Sequence, residues 1–386
     1  MKRRRVVVKI GSSSLTDESG KLSVEKVQRI VNQIADVHEQ SGMELILVSS
    51  GAVACGLGRL NWTRQTITMP EKQAAAAVGQ GLLMDTYERL FAKREIVIGQ
   101  VLLTRLDVED RSRFVHIQNT FGALLHHRVV PIVNENDTVA VDEIRFGDND
   151  TLASLVALVS DADMLILLTD IDGFYTADPR KDKHAERIPD VWEISEQLEQ
   201  AAGQPGSGLG TGGMQTKVMA AKIAVDSGVD VVVAASDEPD CIRRILAGES
   251  IGTTFHAKSA SKRAKKSWIL YSTRTDGKIG MDNGATDALV GHGGSLLLPG
   301  VTFVEGDFLK GAVVDLVAAG GKSIGRGVVN YSAYNLRTLL SRRESGEKLS
   351  AEKEVVHRDQ LAITCDFSKP SGSDMSWRTT KNSVNN

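Results

Sequence analysis

Residues 6–14 read VVVKIGSSS, in which an aliphatic run carrying one lysine passes directly into a glycine and three serines. The run Val6–Ile10 is rich in β-branched residues, which is typical of a strand buried on both faces of a sheet. The loop behind it can turn several backbone N–H groups toward one anion, with Lys9 beside them. Taken alone, the segment fits a phosphate site and a solvated lysine at a strand edge equally well. Other segments of the chain are needed to distinguish these two interpretations.

Similar runs recur as far as residue 259, with amphipathic stretches between them. The predicted strands are Val6–Ile10, Leu45–Val48, Val97–Leu103, Val129–Val133, Met164–Thr169 and Val229–Ala234. The predicted helices are Val24–Glu39, Glu71–Phe91, Phe114–His126, Thr151–Leu158 and Thr216–Ser227. This alternation predicts an α/β fold, a three-layer αβα sandwich around a mainly parallel sheet. Ligand sites are then expected at the carboxyl ends of the strands.

The character of the chain changes after residue 259. We expect residues 260–266, which are polar and basic, to link a first domain at 1–259 to a second at 267–367. Short strand-like runs broken by glycine clusters in the second domain are typical of a small β-barrel. These runs are Trp268–Tyr271, Ser295–Leu298, Val301–Val304 and Ala312–Leu316. Residues 368–386 contain few aliphatic side chains, and we expect them to form a disordered tail.

Composition limits the classes of function. The 386 residues exceed the size at which one core usually keeps growing, which favours two domains. Lys plus Arg total 46 against 49 Asp plus Glu, so no broad positive field attracts nucleic acid or anionic lipid. The three cysteines are far apart and show no metal spacing, which favours a reducing compartment. We expect a cytoplasmic protein with neither a membrane nor a nucleic-acid partner.

Polar segments follow several predicted strands. Ser49, Ser50 and Gly51 come after the second strand, where they either cap a helix or bind an anion. The segments 134–137 and 147–151 are dense in Asn and Asp. Each of these two segments fits a helix cap, and together on one sheet edge they also fit a site for an ammonium group, a metal ion or lysines.

A glycine-rich segment at 206–217 reads GSGLGTGGMQTK. It satisfies GxGxxG formally, but a helical stretch precedes it, so the context of a dinucleotide fold is missing. Lys217 would lie one turn into the following helix, whose N-terminus would point at phosphate. A flexible linker is the alternative. The acidic residues Asp170, Asp172 and Asp178 follow the fifth strand, where they fit a nucleotide site, a metal site or capped turns.

Six segments, in this order, resemble the amino-acid kinase family: VKIGSSSLT, VSSGAVACG, VNENDTVA, FGDNDTLAS, LLTDIDGFYTADPR and GLGTGGMQTK. The C-terminal part resembles a PUA module, including Val356–Asp359. The resemblance implies an amino-acid kinase fold followed by a PUA domain. It also implies ATP-dependent phosphorylation of the side-chain carboxylate of L-glutamate, giving L-glutamyl 5-phosphate, the first step of proline biosynthesis.

The resemblance implies roles for individual residues. Lys9 and Lys217 would neutralise charge on the transferring phosphoryl group, and Asp150 would orient both lysines. The amino acid would be held by Ser50, by Asp137 through its amino group, and by Asn149 through its carboxylate. The implied ATP-binding residues are Lys9, Gly11, Thr169, Asp170, Thr211, Gly212, Gly213, Met214, Gln215, Thr216 and Lys217.

The same resemblance bears on cofactors and partners. Phosphoryl transfer to a carboxylate needs positioning and positive charge rather than a base, because the carboxylate is already ionised at neutral pH. Mg²⁺ is expected to arrive with ATP, without a metal site of the protein's own. Feedback inhibition by proline, and a dimer or tetramer built through the first domain, are also implied.

Three other interpretations stay open on the residues alone. Kinases acting on acetylglutamate, aspartate, carbamate or UMP would keep the fold and change the substrate. PUA modules elsewhere bind RNA, although the near-neutral charge and the lack of a basic, aromatic-rich stripe argue against RNA binding. A regulatory scaffold with an inactive kinase fold is disfavoured because Lys9, Lys217 and Asp150 are all present.

Overall fold

The computed structural model describes residues 3–17, 20–40, 42–63, 67–140, 149–176, 184–195, 198–199, 213–257, 269–270, 275–347 and 353–363. The chain divides into two compact units, residues 1–274 and 275–386. The expected linker at 260–266 and the expected tail at 368–386 lie outside the described residues. Within the described ranges, no helix combines the length and apolar character needed to cross a bilayer.

A mainly parallel sheet forms the centre of the first unit. The strands are β1 Arg5–Ile10, β2 Glu44–Val48, β3 Ile98–Leu103, β4 Val130–Glu135, β5 Met164–Thr169, β6 Phe174–Tyr175, β7 Arg187–Ile188, β8 Asp190–Val191, β9 Asp230–Ala235 and β10 Thr253–Phe255. Among the described residues, eight strands lie in the order β3-β4-β2-β1-β5-β9-β10-β8, and β6 and β7 pair separately. Pairing is parallel from β3 to β9, and β10 is antiparallel to β9.

Helices cover both faces of this sheet. They are α1 Val24–Gln40, α2 Ala52–Leu60, α3 Met69–Ala92, α4 Arg105–Glu109, α5 Arg111–His126, α6 Asn149–Val159, α7 Met214–Asp226 and α8 Cys241–Leu246. Val6, Val8 and Ile10 share one core with residues of α1, α3 and α8. Val7, between them, is fully buried against the other face, since successive strand side chains point in opposite directions. The predicted sandwich is therefore confirmed.

The strand register places the ends of β1, β2, β4 and β5 at the same edge of the sheet. Lys9 pairs with Val48 of β2 and with Leu167 of β5. Val48 in turn pairs with Val133 of β4. The loops that follow these strands therefore leave the sheet side by side, as expected for neighbouring parallel strands.

Helices α2 and α3 meet backbone to backbone. A Cβ at Gly79 of α3 would lie 1.7 Å from Ala52 O, and one at Gly56 of α2 would lie 1.7 Å from Ala75 O. Only glycine fits at either position. The start of α2, which follows Ser50, is therefore fixed against the middle of α3.

The second unit contains a five-stranded sheet among its described residues, in the order β12-β11-β13-β14-β15. Its strands are β11 Gly277–Met281, β12 Val301–Gly306, β13 Val313–Val317, β14 Ser323–Val329 and β15 Val356–Ile363, and its helices are α9 Asn283–His292 and α10 Ala333–Glu344. Leu289 of α9 and Leu336 of α10 pack with strand residues in one core.

Several local predictions in this region were wrong. Glycine clusters were expected to separate the strands of the second domain, yet Gly325 and Gly327 lie inside β14. A Cβ at Gly325 would approach Ala362 O to 2.3 Å, so glycine allows the neighbouring strand to pack closely. The run Ser295–Leu298 makes a single bridge at Leu296 and then a 3₁₀ turn instead of a strand. Residues 269–270, expected in a strand, are helical and belong to the first unit.

Candidate active site

A buried carboxylate joins two lysines at the carboxyl edge of the first unit's sheet. Lys9 of β1 places Nζ 2.6 Å from Asp150 Oδ1, and Lys217 of α7 places Nζ 3.1 Å from Asp150 Oδ2. Lys9, Asp150 and Lys217 are only 7%, 2% and 8% exposed. Thr216 Oγ1 lies 3.2 Å from Asp150 Oδ2 and 2.9 Å from Gly213 O, either of which can accept its one hydroxyl hydrogen. The structure thus brings together the three residues to which the resemblance gave catalytic roles.

Electrostatics keep this carboxylate ionised. Burial works to raise the pKa of Asp150, but the positive charges of Lys9 and Lys217 and their hydrogen bonds outweigh burial and hold that pKa below its ordinary value. Two lysines and one carboxylate leave a net positive charge in a setting of reduced dielectric constant, where a phosphate group is strongly attracted.

A hydroxyl group braces the two helices that carry the cluster. Ser154 of α6 is fully buried, and its Oγ lies 2.9 Å from Ala220 O of α7 and 3.1 Å from Asp150 O. Ser154 lies one helical turn after Asp150, and Ala220 lies nearly one turn after Lys217. The contact therefore holds the spacing between the carboxylate and the lysine of α7.

An amide stands next to the charge cluster, because Asn149 precedes Asp150 in α6. Asn149 Nδ2 donates to Ser49 O at 2.8 Å and to Ser50 Oγ at 2.7 Å. Two good acceptors take its two hydrogens, and no hydrogen bond seen between described residues uses Asn149 Oδ1 as its acceptor, so this oxygen suits a donor on a ligand. A substrate carboxylate at Asn149, as the resemblance suggests, would have to displace one of these bonds, whereas an ammonium group suits Oδ1.

Residues outside the predicted site extend this network into α3. Asn134 Nδ2 donates to Gln80 Oε1 at 2.9 Å, and Asn134 Oδ1 lies 3.4 Å from Asn149 Nδ2. Tyr87 OH lies 2.9 Å from Ser49 Oγ, and burial raises the pKa of Tyr87 well above its ordinary value. Neither Gln80 nor Tyr87 was predicted as a site residue, because α3 has the pattern of a core helix. Their spacing of two turns, which puts two polar groups on one face, was an available signal.

The predicted nucleotide residues on β1 and β5 are neighbours. Gly11 N donates to Leu168 O at 3.4 Å, and Thr169 Oγ1 donates to Asp170 Oδ1 at 2.9 Å. A Cβ at Gly11 would stand 3.8 Å from Lys9 Nζ, in the space beside the ammonium group. Glycine therefore leaves that space to a ligand.

The start of α7 offers backbone donors close to the lysines. Gly213 is the N-cap and provides no side-chain cap, and the Thr216 N–H bonds to Gly213 O, so the helix itself supplies no acceptor for the N–H groups of Met214 and Gln215. Met214 is half-buried and Gln215 is exposed in this first turn. Thr211 and Gly212 lie outside the described residues.

Asp137 is the third predicted substrate residue. It lies half-buried in the turn that follows β4. The structure therefore places Asp137 at the same sheet edge as Ser50 and Asn149.

Comparison with known families agrees with this arrangement. The pattern of the amino acid kinase family matches residues 4–235, and that of the PUA domain matches residues 277–346. The match covers more than half of the chain, and the chain belongs to the amino acid kinase family.

Within the family, relatives that match nearly the whole chain include several glutamate 5-kinases. The chain is 49% identical to glutamate 5-kinase of Carboxydothermus hydrogenoformans, over 93% of this chain and 97% of that protein. It is 46% identical to the enzyme of Moorella thermoacetica, over 93% of this chain and 96% of that protein. Identity to the enzyme of Proteus mirabilis is 43%, over 93% and 98% respectively.

Proposed function

We propose that this protein transfers the γ-phosphoryl group of ATP to the side-chain carboxylate of L-glutamate, giving L-glutamyl 5-phosphate and ADP. The observation that carries the proposal is the pair of buried lysines held by one carboxylate, Asp150, beside the open start of α7. The full-length relatives named glutamate 5-kinase support the choice of substrate.

The reaction needs aligned positive charge. A glutamate carboxylate oxygen forms a bond to the γ-phosphorus while the bond from that phosphorus to the β–γ bridging oxygen breaks, and ADP leaves. Negative charge spreads over the phosphoryl oxygens in the transition state, where Lys9 and Lys217 would stabilise it. Asp150 keeps both ammonium groups in place beforehand, so little reorganisation is needed during the transfer.

The described residues fit a magnesium ion carried by the nucleotide. Both oxygens of Asp150 already face lysines, so this carboxylate is not available as a metal ligand. Mg²⁺ would be held mainly by ATP phosphates and water, the ligands it prefers, and would neutralise part of the phosphate charge.

The amino acid is proposed to lie near Ser50, Asn149 and Asp137. Asn149 Oδ1 and the Asp137 carboxylate are both acceptors, so they suit the ammonium group of the substrate. Proline also carries a protonated amine, here a secondary one, next to an α-carboxylate. We therefore propose that proline competes for this site as a feedback inhibitor.

The setting of the protein is also a proposal. The buried free thiols of Cys55 and Cys241 support a reducing, cytoplasmic location. The family resemblance supports a homo-oligomer.

The test is ADP release from ATP and Mg²⁺ with L-glutamate, N-acetylglutamate, L-aspartate and UMP compared at matched concentrations. We expect kcat/KM for glutamate to exceed the others by at least about 100-fold, as for sites that hydrogen-bond a particular substrate group. Lys217→Met should abolish turnover, while Lys222→Met, on the same helix but paired with Glu199 at the surface, should not. If the folded protein releases no ADP with any of the four compounds, the proposal is wrong.

A further inference from the structure

Gln80 in the middle of α3 carries an unsatisfied polar group. Its Oε1 accepts from Asn134 Nδ2 at 2.9 Å. Among the described residues, Gln80 Nε2 is buried and has no hydrogen-bond partner. A buried unpaired donor destabilises a fold, so its presence calls for a reason.

The orientation of the amide is determined by its neighbours. Asn134 Oδ1 accepts from the backbone N–H of Glu135 at 3.0 Å, and a backbone N–H can only donate. Asn134 must therefore direct its Nδ2 toward Gln80. The atom of Gln80 that accepts this hydrogen bond must then be Oε1. The unpaired atom is the nitrogen of Gln80, and flipping this amide would set two NH₂ groups against each other.

Close packing next to Gln80 restricts the position of its backbone. The preceding residue, Gly79, lies against Ala52 at the start of α2 so closely that a Cβ would come within 1.7 Å of Ala52 O. Gln80 is thus held at a fixed distance from the turn that carries Ser50. Asn134, 2% exposed, is the link between Gln80 and Asn149.

We propose that Gln80 is a positioning residue of the amino-acid site, which orients Asn134 and, through it, the Asn149–Ser50 pair. The inference rests on the proposed glutamate kinase activity. An apolar side chain of similar length would remove the unpaired Nε2 donor but would leave Asn134 Nδ2 without its acceptor, so glutamine at this position serves Asn134 and not the packing of α3. The Gln80 side chain is retained, on this account, for the one bond that it makes to Asn134.

The test is steady-state kinetics of Gln80→Met. Losing the Asn134 bond should raise KM for glutamate at least about 5-fold, the effect of about 1 kcal/mol. KM for ATP should stay within about 2-fold, because the lysine cluster keeps its own partners. The melting temperature should change little, since Asn134 Nδ2 replaces Gln80 Nε2 as the unpaired donor.

The matched control is Gln33→Met on α1. Gln33 is also half-buried, and its Oε1 accepts one bond, from Ile242 N at 3.0 Å, away from this network. Its KM for glutamate should equal that of the parent protein. An unchanged KM for glutamate in folded Gln80→Met, or equal rises in both KM values, would overturn the proposal.

A double-mutant cycle separates positioning from independent damage. If Gln80 acts through Asn134, the variant Gln80→Met/Asn134→Leu should match Asn134→Leu alone in KM for glutamate within about 2-fold. If the rise in KM for glutamate in the double variant is the product of the rises in the two single variants, the proposal is contradicted. Gln80→Ala repeats the series if the Met variant does not fold. Failure of the parent protein to phosphorylate glutamate would instead refute the proposed function, so the two failures are distinguishable.

Discussion

Replacing Asp150 by asparagine would leave Lys9 and Lys217 buried and facing each other without their shared anion. At contact distances of 2.6 and 3.1 Å and an effective dielectric constant of about 20, each lysine contact contributes roughly 5–6 kcal/mol of gross attraction. Desolvation offsets most of this attraction, and removing one partner of a buried pair typically destabilises by about 3–5 kcal/mol. We therefore expect Asp150→Asn to lower the free energy of unfolding by about 3 kcal/mol at neutral pH, and kcat by at least about 100-fold.

The pH dependence has a definite sign. Because the folded pKa of Asp150 lies below its unfolded value of about 3.9, its contribution to stability is full above that value and is lost as pH falls through the folded pKa. Urea unfolding of both proteins should show a stability gap at neutral pH that narrows in acid. Asp85→Asn, which breaks an exposed pair with Arg89, is the control and should change stability by at most about 0.5 kcal/mol. A variant at Asp150 as stable as the parent at neutral pH would refute the reasoning.

Two further predictions concern the helices under the site. Gly79→Ala should lower stability by at least about 2 kcal/mol, because its Cβ would meet Ala52 O at 1.7 Å, whereas Gly81→Ala, with open space around it, should be neutral or more stable by up to about 1 kcal/mol. Thermal melts of the pair test this difference, and equal melting temperatures would contradict the close approach. Tyr87→Phe removes the buried 2.9 Å hydrogen bond to Ser49 and should lower the free energy of unfolding in urea by about 1 kcal/mol. An unchanged midpoint and slope of the urea curve would show that this hydrogen bond contributes nothing to stability.

The central sheet and the charge cluster were accessible from the sequence for different reasons. Continuous β-branched runs predict buried parallel strands, and the strand at Met164–Thr169 was predicted with its observed bounds. The helix at Arg111–His126 begins earlier than predicted because Asp110 accepts a bond from Arg113 N and caps it. The contact of Lys9 and Lys217 with Asp150 could be predicted only from the family resemblance. These residues are far apart in sequence, and no local sequence pattern indicates that they meet.

Other features could not be predicted from the sequence because they depend on partners distant along the chain. The direction of the Asn149 amide is set by Ser49 O, which no pattern around residue 149 reveals. The contact of Gln80 with Asn134 lies between an amphipathic helix and a strand end. In the second unit, Gly325 lies in a strand because a neighbouring strand approaches it, whereas isolated glycines favour turns on propensity alone.

The most direct test of the account follows the oxygen of the substrate carboxylate. L-Glutamate labelled with ¹⁸O in its side-chain carboxylate is incubated with the protein, ATP and Mg²⁺, and hydroxylamine is added to attack the acyl carbon of the product. Carboxylate phosphorylation predicts a γ-glutamyl hydroxamate and released phosphate that carries one ¹⁸O atom from glutamate. ADP formation with unlabelled phosphate and no hydroxamate would mean that water accepts the phosphoryl group, and would contradict the account.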